Sequence, residues 1–161
     1  MKTEGKVYPL ESHKKMQSLL DANYHDMEQA RAAGKKIAWV TGQAPTDILA
    51  AADILPAYPE NHAALCGTKR VSTQLCQIAE AHDYLPDLCS YAKNNLGSCL
   101  LGKQSFPVAP LPAPDILMAV SMCNTHVKWW EALSRYYNVP LLLLETPFVH
   151  DSLSKEDISR A

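Results

Sequence analysis

The chain has 161 residues, 47% of them hydrophobic and 20% charged, with a net charge of −2, proportions that suit a single globular core. Its lysines and arginines are scattered, which excludes the basic stripe by which proteins hold nucleic acid. No apolar run approaches the roughly 20 residues that span a bilayer, the first residues lack the apolar stretch of a signal peptide, and five irregularly spaced cysteines suit reduced thiols better than a disulfide framework. The expectation is a cytoplasmic protein with neither nucleic acid nor membrane as a partner.

From Leu10 to Ala33, Met16, Leu19, Leu20, Met27 and Ala30 recur at helical spacing, and Gly34 stands where a helix stops. Residues 1–34 are therefore expected to form an N-terminal helical segment. Lys36 to Thr41 is a short β-rich run, Gly42 to Pro45 a turn, and Thr46 to Asp53 an alanine-rich helix with Thr46 as its expected N-cap. The two prolines between Ile54 and Pro59 restrict that stretch to an edge strand or an extended loop. Val71 to His82 predicts a helix with Leu75, Ile78 and Ala79 on one face; Asp87 is the expected N-cap of another from about Leu88 to Leu101, ended by Gly102.

Four prolines between Phe106 and Pro114 make a stiff connector. Asp115 to Val120 and Val139 to Glu145 are apolar runs of strand length, the pattern of parallel strands buried on both faces, and a helical stretch from about Thr125 to Tyr137 joins them. The elements add up to a three-layer α/β domain over residues 35–150 with a mostly parallel sheet, flavodoxin- or Rossmann-like, after the N-terminal helical segment. Residues 151–161, where a helix begins at Ser152 or Ser154, read as the start of a truncated continuation.

Open parallel sheets bind ligands outside the carboxyl ends of their strands, and Cys123 falls there, three residues past Val120. Cys89 is expected in the first turn of its helix, where free N–H groups and the positive dipole end favour a deprotonated sulfur, the form that binds metal. Cys66 follows His62 by four residues, but packing is the simpler reading for Cys66, Cys76 and Cys99. Glu60 and Asn61, at the end of an expected strand, are candidates to face a ligand, and Gly42 in the turn after the first strand allows close backbone approach. Lys93 is expected to be solvated and Tyr91 packed; His126 and Lys128 are candidates for phosphate pairing.

In chain order, Gly34-Lys-Lys-Ile-Ala-Trp-Val, Pro45 with its helix, Tyr58-Pro-Glu-Asn-His-Ala-Ala, Asp87-Leu-Cys-Ser-Tyr-Ala-Lys and the strand end at Cys123 resemble the 2-hydroxyacyl-CoA dehydratase and benzoyl-CoA reductase family. The most specific element is the Cys-Ser-Tyr helix start with a cysteine 34 residues later. The resemblance implies a 4Fe-4S cluster held by three cysteines, of which Cys89 and Cys123 match the first two and the third belongs to a second α/β domain. It also implies a homologous second subunit, an acyl-CoA or aromatic-CoA substrate, and a separate ATP-hydrolysing iron–sulfur activator that injects one electron. Dehydration would then pass through a ketyl radical anion; reductases of the family reduce the ring of benzoyl-CoA instead. In these terms Glu60 is the candidate catalytic group, and Gly42 and Asn61 are candidates for binding substrate. A Walker-type Gly-x-x-x-x-Gly-Lys loop is not expected in this chain, and so neither is ATP binding. Two other readings compete: a cluster-free α/β binding module, and a small thiol or zinc site using Cys66 or His62 with Cys89.

Overall fold

The computed structural model describes residues 10–102, 107–146 and 154–160. Four strands, β1 (Lys36–Val40), β2 (Ile54–Ala57), β3 (Ile116–Val120) and β4 (Leu141–Leu144), form a wholly parallel sheet in the order β2-β1-β3-β4. Around it lie α1 (Glu11–Ala32), α2 (Thr46–Ala51), α3 (Pro59–Thr68), α4 (Ser72–Glu80), α5 (Ser90–Leu101), α6 (Asn124–Tyr137) and α7 (Lys155–Arg160). This is the opening of the flavodoxin-like order, with its reversal of direction between β1 and β3.

Alternation along the strands sorts the core into two faces. Ile37, Trp39, Ala57, Leu117 and Ala119 pack with Met27 of α1, Ala79 of α4, Ala92 and Leu96 of α5, and Trp129, Trp130 and Leu133 of α6. Ala38, Val40, Met118 and Val120 pack on the other side against Ala44, in the turn after β1, and Leu49 of α2. Helix, sheet and helix make the three expected layers. As the two prolines demand, β2 is an edge strand. The second apolar run differs from expectation: β4 is the opposite edge, so Leu142 is 43% exposed rather than buried on both faces.

Helix starts also differ. Thr46 is the first residue of α2, whose N-cap is Pro45. The N-cap of α5 is Cys89, not Asp87, because residues 81–89 turn sharply: Asp83 takes a positive φ of 68° and Leu88 N–H donates to Leu85 O at 3.1 Å. Gly34 (φ 83°) and Gly102 (φ 65°) end α1 and α5 as expected.

Lys93 and Tyr91 exchange their expected places. The Lys93 ammonium is buried, donating to Glu80 Oε1 at 2.7 Å and to Pro86 O, while Tyr91 is exposed. The turn before α5 leaves backbone acceptors and a carboxylate pointing inward, and only a long cationic side chain reaches both. The proline connector is held in the same manner. Prolines carry no N–H, so it offers carbonyls, and Trp39 Nε1–H donates to Pro112 O at 2.9 Å while His62 Nε2 bonds Ala109 O at 2.8 Å.

Helices α4 and α5 meet backbone to backbone at Gly97, where an added Cβ would lie 2.0 Å from Leu75 O. Gly97→Ala is expected to cost at least about 3 kcal/mol, because neither backbone can yield. Gly67→Ala in α3, where the nearest atom is Ser72 Oγ at 3.6 Å, should gain about 0.5–1 kcal/mol. Urea denaturation of both variants checks the pair, and equal stability in the two would refute the close-approach explanation.

Candidate functional site

β1 and β3 leave the sheet side by side, and the site is built on their exits. Thr41 ties them together, its N–H donating to Met118 O at 3.2 Å and its Oγ1 accepting from Val120 N–H at 3.1 Å. The chain past β2 enters α3 at once, with Pro59 as its first residue. Glu60 and Asn61 thus occupy the first turn of α3, not the end of a strand.

The Glu60 carboxylate bridges the segments behind β1 and β3: Oε2 accepts from Gly42 N–H at 3.0 Å, and Oε1 lies 3.0 Å from His126 Nε2. Gly42 and Glu60, singled out separately in the sequence, are direct partners. Asn61 is exposed and takes no part in these bonds. His126 turns inward to Glu60, whereas Lys128 pairs with Glu131 at 3.2 Å on the surface. Sequence reasoning did not find the His126–Glu60 pair; the histidine's place three residues past Cys123, in the first turn of a helix after a strand, was the available signal.

Cys123 is the N-cap of α6, its sulfur accepting from His126 N–H at 3.4 Å. Both Cys89 and Cys123 are free and exposed. Two bonds fix how their helices lie. Trp129 Nε1–H donates to Asn95 Oδ1 at 2.9 Å, and further along both helices Tyr136 O–H donates to Cys99 O at 2.9 Å. The contacts advance in the same direction on α5 and α6, so the helices run side by side in one sense with their cysteine N-caps at the same end. Asn95 and Trp129 each lie six residues past their cysteine, about 9 Å along an α-helix.

The other cysteines have different surroundings. Cys66 is fully buried, its Sγ 3.9 Å from His62 Nδ1, and burial pushes its thiol from 9.0 to about 11. His62 is itself satisfied by Ala109 O, and burial lowers it against that bond. Burial raises Cys99 to about 12 and drives Tyr137 upward with it. Among the described residues no group of three or more His, Cys, Asp or Glu gathers as a metal site. Contrary to expectation, Gly97 to Lys103 does have the spacing Gly-x-x-x-x-Gly-Lys, but Gly97 to Leu101 lies inside α5 rather than in a loop and Gln104 follows where Ser or Thr would stand. No helix among the described residues is long and apolar enough to cross a membrane.

The fold is a parallel α/β unit that gathers a bridging carboxylate and the cysteine cap of α6 at the carboxyl ends of its central strands, the place where open parallel sheets bind ligands. Residues 41–160 match the family 2-hydroxyglutaryl-CoA dehydratase, D-component, and the chain belongs to it. It is 37% identical to the (R)-2-hydroxyisocaproyl-CoA dehydratase alpha subunit of Clostridioides difficile over 81% of this chain and 32% of that one. Identity is 29% with the (R)-phenyllactyl-CoA dehydratase alpha subunit of Clostridium sporogenes, over 80% of this chain and 31% of the relative. With a subunit of the benzoyl-CoA reductase of Thauera aromatica it is 28%, over 93% and 35%. The chain spans about a third of the length of these relatives.

The thiols and their neighbours set two measurable expectations. Iodoacetamide at pH 8 should alkylate Cys89 and Cys123 while sparing Cys66 and Cys99 until the protein is unfolded; early labelling of Cys66 by mass spectrometry would contradict its burial. Stability should also fall on both sides of neutrality. The raised thiols of Cys66 and Cys99 contribute stability that is complete below about pH 8.5 and is lost as pH rises towards 11 and 12. The lowered His62 contributes stability present above about pH 6.5 and lost as pH falls through its folded value. Urea midpoints at pH 5, 7.5 and 10.5 should peak at 7.5, and a flat profile would refute the assignment.

Proposed function

We propose that this chain is the part of an iron–sulfur acyl-CoA dehydratase or benzoyl-CoA-type reductase subunit that supplies two of the ligands of a 4Fe-4S cluster. The observation that carries the reading is the pair of free, exposed cysteines at the N-cap positions of two helices braced side by side. Family membership supports it. The donor set fits the group in kind: soft thiolates suit iron–sulfur clusters, and helix N-termini favour negatively charged ligands. Two cysteines leave the set incomplete, so the reading draws the remaining ligand from outside this chain.

When bound, such a cluster supplies one-electron transfer to the thioester. The chain's own residues divide the other tasks. Cys89 and Cys123 hold, with helix N–H groups beside them. The Glu60 carboxylate, held by Gly42 and His126, is the group that takes the β proton of a 2-hydroxyacyl thioester and returns it to the departing hydroxyl, so that water is released and the carboxylate is restored, and the exposed Gly42 backbone gives the substrate room to approach. Met122 beside Cys123 and Tyr91 near Cys89 are large, exposed and apolar; covered by the rest of the protein, they exclude water from the crevice. A homologous second subunit and a separate ATP-hydrolysing activator complete the reading, which favours dehydration because its relatives include two 2-hydroxyacyl-CoA dehydratase alpha subunits.

Anaerobic iron and acid-labile sulfide analysis of the complete gene product tests the proposal. Cys89→Ser and Cys123→Ser should each lose most of the iron while Cys66→Ser keeps it. Unchanged iron in both variants, or zinc without sulfide in the parent, would sink it.

A further inference from the structure

Three segments that leave the sheet at the same edge converge on one carboxylate. Glu60 comes from α3 behind β2, Gly42 from the turn behind β1, and His126 from the first turn of α6 behind β3. Each Glu60 oxygen has its own donor, so the plane of the carboxylate is fixed by two groups on different elements. Gly42 donates through its backbone and survives most substitutions; His126 donates through a side chain and is the part that mutation can remove.

The surroundings of the imidazole distinguish this bond from ordinary packing. Its ring stands edge-on to Trp130, with centroids 5.7 Å apart, and lies 6.4 Å from Trp129; both tryptophans are buried. Its backbone N–H is committed to Cys123. Rotamer and backbone are therefore both held. The other ring nitrogen, Nδ1, is buried with no hydrogen-bond partner among the described residues, a cost that a phenyl ring in the same slot would avoid. Of the two ring nitrogens, Nε2 is the one aimed at the carboxylate and is the donor of that pair.

We propose that His126 is the positioning residue of Glu60: its Nε2–H fixes the carboxylate across the mouth of the crevice, so that the proton-accepting oxygen meets the substrate in one orientation. The inference rests on the role proposed above for Glu60, and it adds a third residue to that site.

Substitutions that separate donor from shape test it in the holoenzyme, with iron and sulfide measured beside the kinetics. His126→Phe, which keeps the ring shape, should lower kcat by about 10-fold to 100-fold with KM and iron content unchanged. His126→Gln, whose amide nitrogen reaches the Nε2 position, should recover most of that loss, and His126→Asn, which mimics Nδ1, should not. His126→Phe combined with Glu60→Gln should be no slower than Glu60→Gln alone. Wild-type kcat in His126→Phe, failure of Gln to rescue, or fully multiplicative losses would overturn the proposal. Full activity in Glu60→Gln would instead remove the catalytic reading of Glu60. A second arm needs no activity: in the metal-free chain, 15N spectra of labelled histidine should show the Nε2–H tautomer at His126 and lose that preference in Glu60→Gln. An imidazole indifferent to Glu60→Gln overturns the positioning role whatever the enzyme does.

Discussion

Parallel pairing of β1 with β3 is the constraint on which the rest of the site depends. The two strands lie in register from Ala38 opposite Ile116 to Val40 opposite Met118, and polar side chains clamp both ends of the pair. At the start, Asp115 N–H donates to Ile37 O at 2.8 Å while the Asp115 carboxylate accepts from Ile37 N–H at 2.9 Å and from Lys36 and Arg31. Burial would raise that carboxyl, but the Ile37 N–H and the two cations hold it below its ordinary value. At the far end Thr41 does the corresponding work. Because the strands are parallel, both exits open on the same side, and a carboxylate arriving from a third strand can touch the segments that continue from each of them.

In two irregular segments, buried acceptors without backbone donors are met by side chains. The proline connector presents carbonyls to Trp39 and His62; the turn before α5 presents Pro86 O and Glu80 to Lys93. Left unsatisfied, each of these groups would cost on the order of 1–3 kcal/mol. The bonds also locate segments that have no strand or helix of their own, and one of those segments delivers Cys89.

Where periodicity was strong, the sequence was a reliable guide. Apolar runs marked β1 and β3, helical spacing marked α1, α4 and α6, and Gly34 and Gly102 marked helix ends. Helix starts were read less well, since Asp87 and Thr46 both have the chemistry of a cap while Cys89 and Pro45 hold the position; local turn geometry, invisible in a residue pattern, decided between them. Burial of Lys93 was unreadable for the same reason, since it depends on a turn that brings Glu80 and Pro86 to one point. β4 looked fully buried because four leucines cannot report which edge of a sheet they occupy. The cysteines and Glu60 were legible as candidates, whereas the contact between Glu60 and His126, 66 positions apart, is a product of strand order.

The brace between α5 and α6 alters the meaning of the 34 residues that separate Cys89 from Cys123. That interval runs through the whole of α5, the proline connector, β3 and a short turn, and nothing in the brace depends on its total. What the Trp129–Asn95 bond holds constant is a pair of equal arms, six residues from each cysteine to the point where the helices lock. One residue added to the connector would make the count 35 and leave both sulfurs where they are. Added between Cys89 and Asn95, it would swing that sulfur about 100° around its helix and 1.5 Å along it. Length variation is thus tolerated between the helices and forbidden within the arms, and a pattern for finding such a site in another sequence should be written as two short fixed intervals joined by a free one.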